Sequence, residues 1–253
     1  MMKSLIMTLW LLVGMIPVFS EEPTQPEKKV IDGVEYHLMT VDPQRIRIVW
    51  KGDDGKPLRT FPEAVKYFEK KGIPAQVLCN GGIFEPGGIP SGLMVQEGKQ
   101  LKAINRKNGE GNFFLKPNGV FLVGPKGAAV VDAAQYPPKG VQIQFAVQSG
   151  PLLLSGGKIH PKFNPKSKWR LIRNGVGVNR EGKVVLAKTD FHSEKLPTLW
   201  EFAMLFQSLG CDNALFLDGD LSQMRSGEEL KKRSNRFGSI IAVVASPEKK
   251  DSE

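Results

Sequence analysis

The sequence predicts an α+β fold: a single domain with a mixed, largely antiparallel β-sheet flanked by a few helices. Three observations lead there. Runs with strand character outnumber helical patterns. Hairpin signals mix with at least one strand–helix–strand segment. No repeat period and no clean linker divides the chain. The 253 residues are 41% hydrophobic and 24% charged, ordinary globular usage with enough length for a substantial core.

Residues 1–20 read as a secretory signal. Lys3 precedes an apolar run over 5–18, and Val18, Phe19 and Ser20 stand where a signal peptidase reads. The run is shorter than the roughly 20 residues a membrane span needs. No Cys follows it, so a lipid anchor is not expected. Residues 21–29 are polar and contain Pro, and are expected to be a flexible lead-in. The domain itself is expected over 30–245, with a charged tail at 246–253. Such a protein would be periplasmic or secreted, with no transmembrane segment once the signal is removed.

Along the domain, residues 30–41 and 45–50 alternate and are β-rich, so both read as strands. Residues 61–71 fit a helix with Thr60 as cap and Pro62 in its first turn. Its Phe61, Ala64, Val65 and Phe68 recur at helical spacing, and Gly72 ends it. A short apolar strand at 75–79 follows. Segments 112–116 and 120–123 flank Pro117-Asn118-Gly119 and read as a hairpin. Strands are expected at 128–131, 142–148 and 152–154, then an exposed basic loop at 158–168. Segments 174–178 and 183–188 read as a second hairpin. Residues 197–209 make the strongest helix. Thr198 and Glu201 have capping-box spacing, and Leu199, Phe202, Ala203, Phe206 and Leu209 form one apolar stripe. Gly210 stops it, and strands at 214–217 and 238–245 complete the sheet.

The formal net charge is +9, and the signal removes only Lys3 from it. A basic surface favours anionic partners such as phosphate groups or acidic envelope polymers. The Lys tracts carry no interleaved aromatics, so a nucleic-acid platform is not expected. Cys79 and Cys211 have no ligand neighbours at zinc spacing and read as two separate buried thiols. His37 and His160 read as structural, and His192 alone lies near a segment of interest.

Three segments place glycines and polar residues after strands, where function often sits. Asn80-Gly81-Gly82-Ile83-Phe84 lets backbone approach a ligand and present N–H groups to an anion. Glu85 and Ser91 follow closely. Gln148-Ser149-Gly150-Pro151 leads to Arg170 and then Arg173-Asn174-Gly175-Val176-Gly177, where a guanidinium fork suits a phosphate. The two glycines weaken that strand unless something packs close to it. Leu217-Asp218-Gly219-Asp220-Leu221-Ser222 places two carboxylates after an apolar strand. They fit a general acid or base, or oxygen ligands for Ca²⁺ or Mg²⁺. A turn whose Asp side chains cap backbone N–H groups is the plain alternative.

In this order and spacing the segments resemble the signature of the phosphodiester glycosidase family, and the resemblance runs over about 30–245. It implies hydrolysis of the sugar–phosphate bond in a sugar-1-phosphodiester, with Asn80, Gly81, Gly82, Arg173 and Asp218 as functional positions. An anionic sugar-phosphate or envelope glycan is then the expected partner. Asp220 or Glu85 is the candidate second carboxylate. Ser91, Ser149 and Ser222 are candidate substrate contacts, as are Gly150 and Asn174 within the matched motifs. The chain departs from the pattern at Asp220-Leu221-Ser222. Two other readings stand beside the glycosidase: a non-catalytic glycan-binding module, and a metal-assisted phosphodiesterase with Ca²⁺ or Mg²⁺ on Asp218 and Asp220.

Overall fold

The structure, a computed structural model, describes residues 24–246. The signal at 1–20 and most of the tail lie outside the described residues. The architecture is α+β, with every strand ladder antiparallel where some parallel pairing was expected.

The largest sheet has seven strands. In spatial order they are β1 (Glu27–Ile31), β2 (Val34–Val41), β15 (Val184–Thr189), β14 (Asn174–Asn179), β16 (Cys211–Asp218), β12 (Leu152–Ser155) and β13 (Lys158–Ile159). A five-stranded sheet runs β10 (Gly127–Asp132), β9 (Gly119–Gly124), β11 (Phe145–Ser149), β7 (Met94–Gln96) and β8 (Lys99–Lys102). A four-stranded sheet runs β17 (Met224–Ser226), β4 (Ala75–Asn80), β18 (Ile240–Val244) and β3 (Ile46–Val49). A small hairpin pairs β5 (Phe84–Glu85) with β6 (Ile89–Pro90).

The three large sheets close around one central core. Ile48 of β3, Val77 of β4, Phe121 of β9, Leu186 of β15, Leu215 of β16 and Ile241 of β18 all bury into it. Helix α1 (Phe61–Lys70) covers the outer face of the four-stranded sheet, and α2 (Leu199–Ser208) that of the seven-stranded one. Strand β18 shows the consequence: Ile241 and Val243 enter the central core while Ile240, Ala242 and Val244 face α1. A strand covered on both faces reads as a continuous apolar run rather than an alternating one.

Both helices form as expected. Thr60 and Glu63 make a capping box on α1, and Thr198 and Glu201 make one on α2. Other expectations need correction. Residues 30–41 are not one strand. Asp32 and Gly33 both have positive φ, 51° and 79°, and turn β1 into β2 as a two-residue hairpin. The lead-in is therefore shorter than expected, because Glu27, Lys28 and Lys29 already pair with β2. That edge strand is mostly exposed, so its ladder leaves little apolar signal. The hairpin expected about Pro117-Asn118-Gly119 does not form. Asn112–Phe114 is a 3-10 turn, and the Asn118 amide donates to the Phe113 carbonyl at 2.7 Å. The true hairpin joins β9 to β10, with Gly124 paired to Gly127. Strand β18 lies inside its sheet between β4 and β3. Cys79 and Cys211 are buried free thiols in different sheets.

Something does pack close to the two glycines of β14. A Cβ on Gly175 would meet Phe202 and Phe206 of α2 at 3.0 Å each. A Cβ on Gly177 would stand 2.7 Å from Cys211 Sγ and 2.9 Å from Phe206 Cδ1. Rings of α2 thus pack directly on the bare backbone of β14. Gly177→Ala is expected to cost about 2 kcal/mol by overpacking, read as a lower urea midpoint. An unchanged midpoint would mean that the helix shifts freely on the sheet.

Candidate active site

Strand β14 begins at Asn174, directly after Arg173, and its neighbour β16 ends at Asp218. The register pairs Asn174 with Asp218, with an irregularity just inside. Antiparallel pairing therefore brings the residue before one strand and the end of the other to the same edge of the sheet. There they line a cleft of about 430 Å³, together with Glu85, Ser91, Phe216 and Asp220. The loop 110–114 forms another part of the wall, with Phe113 and Phe114.

Arg173 is buried. Its Nη2 donates to the Trp169 carbonyl at 3.2 Å and its Nε to the Pro197 carbonyl at 3.4 Å. The guanidinium carbon stands 5.7 Å from the centre of the Phe216 ring. Among the described residues no carboxylate forms an ion pair with it. Burial lowers its pKa to about 10, and the negative charge of Asp220 acts the other way. It stays cationic at neutral pH, with its charge stabilised by carbonyls and a ring rather than a counterion. Such a group favours an anion that brings a matching charge.

Asp218 has the opposite perturbation. Burial raises its carboxyl to about 6. The Gly219 N–H, which donates to Oδ1 at 2.7 Å, resists that rise, and the neighbouring Asp220 adds to it. Glu85 accepts a 2.7 Å hydrogen bond from the Ser91 hydroxyl, which orients that carboxylate in the cleft. Asp220 stands exposed. Among the described residues no group of three or more His, Cys, Asp or Glu side chains comes together to hold a metal ion.

Five of the expected residues thus line the cleft: Glu85, Ser91, Arg173, Asp218 and Asp220. The other seven are not among its lining residues. Asn80 Oδ1 accepts from the Gln223 N–H at 2.9 Å, and its carbonyl accepts from the Asn174 amide at 2.9 Å. These two bonds tie the end of β4 to β14 and to the loop after β16. Ser149 donates to the Leu217 carbonyl at 2.7 Å and accepts from the Ile83 N–H at 3.2 Å. Gly150 is bare because Asn118 and the Phe113 carbonyl press on it.

The sequence expectation for Gly81 and Gly82 is a cradle that presents N–H groups to an anion. The Gly81 N–H instead donates to the Ser239 carbonyl at 2.8 Å. The sites a Cβ would take at Gly81 and Gly82 are filled by Ser239 and by Gln148 and Ser149. These glycines therefore serve close backbone packing. Ser222 is buried, and its hydroxyl and Asn174 Oδ1 are buried polar atoms without a hydrogen bond among the described residues. Arg170 makes a bidentate pair with Glu201 at 2.6 and 3.0 Å and is not among the cleft residues. The loop 110–114 was missed because 112–116 reads as a strand. Gly109, Gly111 and Asn112 were the turn signals that could have marked it.

The family profile described as phosphodiester glycosidase matches residues 74–240. The chain belongs to the phosphodiester glycosidase family. It is 35% identical over 208 residues to the uncharacterized protein YigE of Escherichia coli (strain K12), a match covering 81% of this chain and 80% of that protein. Its fold is similar to the zebrafish N-acetylglucosamine-1-phosphodiester alpha-N-acetylglucosaminidase catalytic domain, auto-inhibited by its pro-peptide. That match has a TM-score of 0.63 at 18% identity and covers 90% of this chain and 85% of that one. It is also similar to a Burkholderia pseudomallei K96243 protein described as exported. There the TM-score is 0.55 at 12% identity, over 84% of this chain and 74% of that one. At these identities the two likenesses are of fold. No helix among the described residues is long and apolar enough to cross a membrane.

Asp218 makes stability depend on pH. Its folded pKa of about 6 lies above the ordinary 3.8, so between those values the folded protein binds more protons than the unfolded chain. Stability then rises as pH falls through that window, and ionised Asp218 is a burden above it. Asp218→Asn keeps an acceptor for the Gly219 N–H and removes that burden. It is expected to stabilise the protein by about 1 kcal/mol at neutral pH, after allowing for partial exposure. The gain should vanish at about pH 4, as read by thermal melts at both pH values. A variant less stable than the parent at neutral pH would contradict this.

Proposed function

We propose that the protein hydrolyses the sugar–phosphate bond of a sugar-1-phosphodiester in this cleft. The observation that carries the proposal is the pairing of opposite groups at one sheet edge: a buried Arg173 without a carboxylate partner, beside a carboxyl raised to about 6. The phosphodiester anion sits on the Arg173 fork. The sugar lies against Phe216 and the aromatic wall at Phe113 and Phe114, with its anomeric carbon toward Asp218.

The leaving group decides which role suits Asp218. A phosphate monoester is a weak base, so its departure gains little from a proton donor. The carboxylate is therefore used on the sugar side. Asp218 takes a proton from water, the water oxygen bonds to the anomeric carbon, and the bond from that carbon to the phosphate oxygen breaks. A base with a pKa near the working pH serves this step best. Glu85, oriented by Ser91, and Asp220 at the exposed side are the further carboxylates available to sugar hydroxyls or to developing positive charge. The packed residues Asn80, Gly81, Gly82, Ser149, Gly150, Asn174 and Ser222 act by holding the walls in place.

Export belongs to the same proposal, since residues 1–20 carry the three-part signal pattern. An extracytoplasmic enzyme of this class would meet anionic envelope glycans or their sugar-phosphate fragments.

The test is incubation of the purified protein with UDP-N-acetylglucosamine and with a synthetic N-acetylglucosamine-1-phospho-methyl diester, with and without chelator. Free sugar is read by mass. Turnover is expected to survive chelation and to rise with pH through about 6 as Asp218 loses its proton. Asp218→Asn should lower kcat by roughly 100-fold or more. Arg173→Lys should raise KM because the planar fork is lost. Full turnover in Asp218→Asn would end the role of that residue. Loss of turnover on chelation would favour a metal-assisted phosphodiesterase, and saturable phosphoglycan binding without product would favour a binding module.

A further inference from the structure

A second cavity, of about 460 Å³, opens where β1, β2, β15 and β17 meet. It shares no lining residue with the cleft. Lys188 of β15 lines it with only 4% of its surface exposed. A lysine is rarely buried to that degree unless it is paired. Lys188 Nζ lies 4.0 Å from the centre of the Phe191 ring, which also lines the cavity. Among the described residues it has no hydrogen bond and no ion pair.

The carboxylates of the cavity are already engaged, Asp190 by Lys28 and His37, which also line it, and Glu229 by a residue outside. Asp190 Oδ2 stands 2.8 Å from Lys28 Nζ and 2.8 Å from His37 Nε2. Glu229 pairs with Lys232, outside the cavity. Arg225 Nη1 donates to the carbonyls of Glu229, Lys232 and Arg233 and, among the described residues, has no carboxylate partner. Lys188 and Arg225 therefore both line one cavity without a carboxylate partner among the described residues, and the Arg225 guanidinium also lies 6.0 Å from the Phe61 ring. Burial depresses the Lys188 ammonium to about 8, against the pull of Asp190 and with help from Lys28 and Arg225. Together these observations leave Lys188 and Arg225 as the cavity's cations without a carboxylate partner among the described residues.

We propose that this cavity is a second ligand site, separate from the cleft, that binds a small phosphate-class oxyanion between Lys188 and Arg225. A doubly charged oxyanion matches two cations, and its several acceptors suit an ammonium and a guanidinium together. The aromatic face of Phe191 keeps Lys188 in place while the site is empty.

The test is calorimetric titration of inorganic phosphate, sulfate and acetate into the purified protein and three variants. Phosphate is expected to saturate a site that survives in Arg173→Gln, which lies in the cleft. Lys188→Met should weaken that site about tenfold or more while raising the melting temperature, because a buried unpaired charge is replaced by an apolar chain of similar length. Lys188→Arg should retain binding. The proposal is overturned if phosphate does not bind, if Lys188→Met binds it as the parent does, or if Arg173→Gln alone abolishes binding. Acetate that binds as tightly as phosphate would overturn the phosphate class.

Discussion

The ladder between β14 and β16 is the constraint on which the rest of the molecule depends. Its register is held from both sides. Val176 points into the central core, while Gly175 and Gly177 lie bare beneath Phe202 and Phe206 of α2. A slip of one residue would put a valine under the aromatic rings and a glycine into the core. No such slip is compatible with close packing, so Asn174 must face Asp218. Arg173 and Asp218 are thereby delivered to one edge of the sheet without any direct bond between them.

Buried amides and hydroxyls transmit that placement to the loops. Asn80, near the end of the four-stranded sheet, holds both Asn174 and the backbone after Asp218. Ser149, at the end of the five-stranded sheet, holds the carbonyl before Asp218 and the loop after Gly82. All three large sheets thus contribute one polar clamp to a common junction. Buried hydrogen bonds of this kind add modest net stability, but breaking one leaves a costly unpaired group.

The charges are arranged differently from the clamps. Strand alternation sends Arg173 to one face of β14, and Lys188, the cross-strand neighbour of Asn174, lies on the other. Each is buried without a carboxylate partner among the described residues. Exposed cations such as Arg170 and Arg180 do have one, in Glu201 and Asp212. Holding cations in low-dielectric positions lowers stability. It also raises the affinity of those positions for anions, because the anion supplies what the fold withholds.

Much of this was legible in the chain alone. The sequence by itself determined the α+β class, both helices with their capping boxes, and the 174–188 hairpin, because these depend on local spacing and on short-range hydrogen bonds. It also marked Arg173, Asp218, Asp220, Glu85 and Ser91, each within two residues of a glycine near a strand end. The Asp32-Gly33 turn is equally local, but it sits in an exposed edge strand that carries little apolar signal.

Tertiary structure decided the rest. Whether Gly81 and Gly82 face a ligand or a neighbouring backbone depends on Ser239 and Gln148, far away in the sequence. Whether Lys188 has a carboxylate partner depends on Asp190 already being engaged by Lys28 and His37. Burial and pairing are properties of several strands at once, and a linear pattern carries them only where one residue's neighbours in the chain are also its neighbours in space.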